Sequence, residues 1–80
     1  MDDSDVLRRI TDLVEEERRL REETSGAAEN DPRHQRLHTV EVSLDQCWDL
    51  LRQRRGLRHR GEDPDDARVR PPDTVERYEQ

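Results

Sequence analysis

The sequence predicts an all-α protein: an antiparallel helical hairpin followed by an extended, acidic, proline-containing C-terminal tail. Two stretches of apolar residues at helical spacing predict the hairpin, and Asp31-Pro32 between them is a strong start signal for the second helix. The chain has 80 residues, of which 28% are hydrophobic and 45% are charged. This composition allows one domain with a thin core, so we expect self-association into a four-helix bundle to bury a second face of each helix.

The first helix is predicted over residues 5–24, with Ser4 as its N-cap. Its core side chains recur at helical spacing: Val6, Ile10, Leu13 and Leu20. Leu7 and Val14 widen this apolar stripe on one side, and Glu17 interrupts it. Gly26 and its neighbours predict the loop that follows the helix.

The second helix is predicted over residues 32–60, with Gly61 as its C-cap. Its core side chains follow steps of three and four, with an aromatic residue beside them: Leu37, Val40, Leu44, Cys47, Leu51 and Trp48. This spacing is typical of a helix that packs along another helix. The short loop makes the helices antiparallel neighbours, in which the numbers of opposite residues add up to about 57. That register brings the acidic N-terminus close to Arg52, Arg54 and Arg55.

The tail is predicted to cover residues 61–80 and to be mainly extended. Residues 62–66 form an acidic, turn-prone run, and Pro71-Pro72 favours an extended backbone. Asp73 can cap one short helical turn over residues 73–78.

Composition and motifs argue against several classes of function. The net charge of −6 argues against a general nucleic-acid binder, and no apolar run approaches the ~20 residues that span a bilayer. Cys47 is the single cysteine, which rules out an internal disulfide, and the N-terminus lacks the features of a signal peptide. No catalytic motif stands out. We therefore expect a cytoplasmic protein that is not an enzyme and that holds no cofactor or metal.

An arginine cluster at the end of the second helix is the most distinctive local feature of the sequence. It contains five of the 15 basic residues, all of which are arginine: Arg52, Arg54, Arg55, Arg58 and Arg60. Such a cluster can bind phosphate groups. It also suits the negative end of a helix and can pair with the acidic N-terminus and with residues 62–66. We favour this structural role and keep anion binding as the alternative.

Two further sets of residues are candidates for metal binding or catalysis, but a structural role explains each of them better. His34 and His38 share a helix face and can bind zinc, but a stable zinc site needs more ligands, so we expect both to face solvent. Cys47 lies in the apolar seam of the second helix, the row formed by its predicted core side chains, where we expect it to be buried beneath Ile10 and unreactive.

The run Leu-Asp-Gln-Cys-Trp-Asp-Leu-Leu-Arg-Gln-Arg-Arg at residues 44–55 resembles domain-of-unknown-function family 2630, a group of small actinobacterial proteins. The similarity also covers residues 4–7, 15–21 and 61–65, and parts of the tail to Tyr78. The resemblance implies a small cytoplasmic helical protein and supplies no activity, cofactor or catalytic residue. Because it extends into the tail, we expect the tail to dock on the helices.

Two functions remain open from the sequence. The first is a structural or interaction protein that forms a homo-oligomer, with a dimer favoured, and engages an unidentified protein partner. The alternative is a small regulator that binds nucleic acid or an anionic ligand through the arginine cluster.

Overall fold

The computed structural model describes residues 2–75, which form three α-helices and one 3₁₀ turn. The elements, in chain order, are α1 (Asp3–Thr24), α2 (Pro32–His59), the 3₁₀ turn (Pro64–Asp66) and α3 (Pro72–Val75). This part of the chain contains no β-strand, so the predicted all-helical class is confirmed.

α1 begins at Asp3, two residues earlier than predicted, because Asp2 and not Ser4 is its N-cap. The Asp2 carboxylate accepts a hydrogen bond from the Asp5 N–H at 2.9 Å, and the Asp5 carboxylate accepts one from the Asp2 N–H at 3.0 Å. This reciprocal capping box satisfies two N–H groups at the positive end of the helix.

The connection between α1 and α2 is built from a tight turn and a helix cap. Ser25 has φ −62° and ψ 115°, Gly26 has φ 79°, and the Ala27 N–H donates to the Thr24 carbonyl at 3.0 Å. These values define a type II turn, which favours glycine at its third position. At the other end of the connection, the Asp31 carboxylate accepts a hydrogen bond from the Arg33 N–H at 2.9 Å and caps α2.

α2 ends one residue before the predicted position, because its C-cap is Arg60 and Gly61 follows the cap. Gly61 has φ 77°, and its N–H donates to the Arg58 carbonyl at 3.1 Å. The Glu62 N–H donates to the Leu57 carbonyl at 2.8 Å. Together these bonds form a Schellman motif, which turns the chain back toward the helices.

α1 and α2 pack against each other and run in opposite directions. Near the connection, the Arg36 guanidinium contacts the Glu16 carboxylate at 2.8 Å. At the far end, Arg54 contacts Asp3 at 2.7 Å, and the numbers of these two residues add up to 57, the value of the predicted register.

The core between the helices is one cluster of buried aliphatic side chains: Val6, Ile10, Leu13, Leu20, Val40, Leu44, Leu50 and Leu51. Three predicted core residues are more exposed than expected. Leu37 and Cys47 are only partly buried at the edge of the cluster, and the side of α2 that carries Trp48 is left open, so this residue is 50% exposed. Leu50, which we did not predict, is buried because it faces the side of α2 that the tail covers.

The tail docks along α2. The Gln46 side-chain amide donates to the Arg70 carbonyl at 3.1 Å, and the Gln53 amide donates to the Arg68 carbonyl at 2.6 Å. Val75 is completely buried. α3 begins at Pro72, one residue earlier than predicted, since proline suits the first helical position. The rest of the predicted turn, residues 76–78, lies outside the described residues.

Candidate functional site

One side of the helix pair exposes three large apolar side chains, which we call the Trp48 face: Leu7, Val14 and Trp48. Their exposed fractions are 43%, 45% and 50%. Leu7 and Val14 are two turns apart on α1, so they point in the same direction. Val14 and Trp48 line one shallow depression between the two helices, and Leu7 lies on the same side of α1 as Val14.

Charged side chains of opposite sign flank Trp48 along α2. Glu41 and Asp45 precede it and line the depression shared with Val14. Arg52 and Arg55 follow it and line a neighbouring depression with Trp48. Neither Glu41 nor Arg55 takes part in an ion pair or side-chain hydrogen bond within residues 2–75. The Trp48 face is therefore an apolar centre with an acidic side and a basic side.

The opposite side of α2 holds a buried ion pair. The Asp49 side chain is completely buried, and its carboxylate accepts two hydrogen bonds from the Arg70 guanidinium, at 2.6 and 2.9 Å. The Gln53 amide donates to the same carboxylate at 2.8 Å. Such two-pronged, charge-assisted contacts are strong and directional. Sequence reasoning missed Asp49, because its partner lies 21 residues further along the chain.

Cys47 faces a groove of about 450 Å³ between α1, α2 and the tail. The groove is lined mainly by apolar atoms, including those of Val6, Leu50 and Val69. Burial raises the pKa of the Cys47 thiol. A raised pKa lowers the thiolate fraction at neutral pH, which makes the thiol a poor nucleophile. Cys47 is less buried than we expected, because Val69 is itself 63% exposed and leaves the groove open.

Arg54 joins α2 to the start of α1 and to the 3₁₀ turn of the tail. Only 7% of its side chain is exposed. Its guanidinium donates to Asp3 at 2.7 Å, to Asp65 at 2.9 Å and to the Pro64 carbonyl at 3.3 Å. The hydrogen bonds from Arg54 and then Arg58 hold the pKa of Asp3 below its ordinary value, and the bond from Arg54 lowers the pKa of Asp65.

Two other members of the arginine cluster are also bound to carboxylates. Arg58 donates to both oxygens of Asp3 at 3.0 Å, and Arg60 donates to Glu62 at 2.6 Å. Arg54, Arg58 and Arg60 thus all contact acidic groups of the same chain, and Arg52 also has an interaction partner. Arg55 is exposed on the Trp48 face.

The remaining candidates are not brought together into a site. His38 is exposed and His34 is partly buried. Within residues 2–75, no three His, Cys, Asp or Glu side chains lie close enough together to hold a metal ion. None of the helices in this part of the chain is long and apolar enough to cross a membrane.

Comparison with known proteins gives a family but no activity. The family model described as "Protein of unknown function (DUF2630)" matches residues 2–80. The chain is 52% identical over 77 residues to uncharacterized protein Rv0898c of Mycobacterium tuberculosis and, equally, to uncharacterized protein Mb0922c of Mycobacterium bovis. Each alignment covers 95% of this chain and 88% of the relative. No solved structure matches the chain significantly. The match over residues 2–80 shows that the protein belongs to the DUF2630 family.

Proposed function

We propose that the protein is a small structural or interaction protein that self-associates through the Trp48 face. Two helical hairpins would form a dimeric four-helix bundle, whose outer surface engages a further protein. The single observation that carries this proposal is the exposure of Trp48, Leu7 and Val14 together on one side of the helix pair. The proposal assigns the chain no catalytic activity and no cofactor, and it places the protein in the cytoplasm.

The location of the tail supports this choice of surface. The described part of the tail, up to Val75, covers the side of α2 that carries Asp49 and Leu50 and leaves the side that carries Trp48 open. A tryptophan can bury 150–250 Å², roughly, so covering Trp48 and its two aliphatic neighbours would add substantially to a thin core. Burial of apolar area stabilises an assembly by about 25 cal/mol per Å² before the costs of association.

Self-association is expected to produce a particle of twice the chain mass of 9.6 kDa in light scattering at micromolar concentration. Trp48 is the only tryptophan, so its fluorescence emission should shift to shorter wavelength as the protein concentration rises. The Trp48→Ser variant should remain helical by circular dichroism and scatter as a monomer. Val69→Ser, which removes an exposed apolar side chain on the tail side, is the control and should stay dimeric. A wild-type protein that stays monomeric and well folded would contradict the proposal.

The alternative function is binding of nucleic acid or an anionic ligand through the arginine cluster. The exposed position of Arg55 favours it, whereas the contacts of Arg54, Arg58 and Arg60 with carboxylates count against it. We expect the full-length protein to bind duplex DNA only non-specifically, with Kd of about 10⁻⁴ to 10⁻⁶ M at physiological salt. Fluorescence anisotropy of a labelled duplex measures this directly. Nanomolar binding at the same salt would make the alternative the leading function.

A further inference from the structure

We propose that the Trp48 face binds the same face of a second copy around a two-fold axis that passes close to Trp48, with α2 lying antiparallel on α2 of that copy. This inference rests on the proposed self-association and specifies its geometry. A two-fold interface uses one self-complementary patch on both subunits. The charges and apolar side chains of the Trp48 face satisfy that requirement in a particular register.

Charged residues of opposite sign lie at equal distances on either side of Trp48 along α2. Glu41 lies seven residues before Trp48, and Arg55 lies seven residues after it. Each is therefore two helical turns, about 10.5 Å, from Trp48 and on the same side of the helix. When two copies of α2 lie antiparallel with their Trp48 side chains at the axis, Glu41 of each copy lies opposite Arg55 of the other. The same order, acidic before Trp48 and basic after it, recurs closer to Trp48. Asp45 lies three residues before it, and Arg52 lies four residues after it.

The exposed apolar residues of α1 lie on either side of the level of Trp48. In the observed register, Trp48 lies at the level of residue 9 of α1, between Leu7 and Val14. The axis that brings the Trp48 side chains together therefore also brings Leu7 of one copy close to Val14 of the other. The Leu7–Val14 contact and the Glu41–Arg55 contact are then each made twice, whereas the two Trp48 side chains meet once, at the axis.

A parallel arrangement of the two α2 helices does not satisfy the same charges. It would place Glu41 against Glu41 and Arg55 against Arg55, and like charges that face each other across an interface are unfavourable. The charge pattern of the Trp48 face thus selects the antiparallel pairing. The two tryptophans would pack against each other near the axis, where aromatic pairs add to the energy of area burial.

Charge reversal tests the pairing without removing apolar surface. Glu41→Arg alone and Arg55→Glu alone should each raise the dimer Kd by about tenfold, since each converts two attractive contacts into two repulsive ones. The double variant Glu41→Arg/Arg55→Glu should recover most of the wild-type affinity. An equimolar mixture of the two single variants should form heterodimers in preference to either homodimer.

Two charge reversals on the outer surface of α1 are the matched controls. Glu15→Arg and Arg19→Glu make the same changes of charge at exposed residues, and neither residue has an ion-pair partner within residues 2–75. Both controls should leave the dimer Kd unchanged within about twofold. Equal effects of the control and test reversals would show a response to net charge alone and would overturn the pairing.

Disulfide trapping tests the register directly. In a Cys47→Ser background, Glu41→Cys mixed with Arg55→Cys should form a cross-linked heterodimer under mild oxidation. Neither variant should cross-link to itself, because two copies of position 41 would lie 14 residues apart along the helix, about 21 Å, and a disulfide requires Cα atoms within about 7 Å. A 41–41 or 55–55 cross-link would overturn the antiparallel pairing.

These outcomes separate the geometry from the proposed function. In one outcome, light scattering shows a dimer whose Kd does not change with the charge reversals and which forms no 41–55 disulfide. That result would overturn the two-fold arrangement but would still support self-association. A protein that is monomeric in light scattering at micromolar concentration overturns both.

Discussion

Replacing Leu13 with alanine is expected to lower the free energy of unfolding by about 2–5 kcal/mol. The Leu13 side chain is 1% exposed and packs in the single cluster between α1 and α2. A chain of this length has a total stability of roughly 4–12 kcal/mol, so the loss would remove a large part of it. Urea titration followed by far-ultraviolet circular dichroism should show a lower midpoint and, at 25 °C, a measurable unfolded fraction without denaturant.

Leu7→Ala is the matched control for this experiment, because it makes the same change on the same helix. Leu7 is 43% exposed, so we expect its replacement to cost less than about 1 kcal/mol when the protein is dilute enough for association to contribute little. Equal losses for Leu13→Ala and Leu7→Ala would mean that the core does not lie where the structure places it.

Replacing Arg70 with alanine is expected to cost about 1–3 kcal/mol and to loosen the tail. The Asp49 side chain is completely buried, and the change removes two charge-assisted hydrogen bonds from its carboxylate. A buried carboxylate that loses such a partner must either stay poorly solvated or admit water, and admitting water requires the tail to move away from α2. Urea titration measures the loss of stability, and hydrogen exchange of the tail amides measures the loosening.

Arg68→Ala provides the comparison, two residues away on the same segment. Within residues 2–75, the Arg68 guanidinium donates only to the nearby carbonyls of Asp65 and Ala67, and Arg68 is exposed. We expect a change within about 0.5 kcal/mol. A double-mutant cycle with Asp49→Asn should give a clear coupling energy for Arg70 and none for Arg68. Similar effects of the two arginine replacements would show that the buried pair is not what holds the tail.

Local signals in the sequence were sufficient to predict the all-helical class and the two ends of α2 to within one residue. Asp31-Pro32 marks the start of α2, and Gly61 lies just after its C-cap, because these residue types satisfy helix ends by their own geometry. The start of α1 was predicted less well. Asp2 and Ser4 are both preferred caps, and only the reciprocal bonds between Asp2 and Asp5 decide between them.

Burial at the edges of the seam could not be predicted in the same way. Leu50 and Trp48 lie on opposite sides of the α2 seam, and periodicity alone does not indicate which side a later segment covers. The Asp49–Arg70 ion pair could not be predicted from the sequence for a related reason. With 21 acidic and 15 basic residues in the chain, many pairings are compatible with the sequence, and only the path of the tail selects this one.

The contacts of Arg54 couple the docking of the tail to the pairing of the two helices. Its guanidinium holds Asp3 on α1 and Asp65 in the tail, so its full set of contacts exists only when all three segments are in place. Detachment of the tail would uncover Leu50 and the Asp49 carboxylate, whereas most of the aliphatic cluster lies between α1 and α2. We expect such a local opening to need less free energy than global unfolding. A protease or a competing protein segment would gain access to α2 through this partial opening.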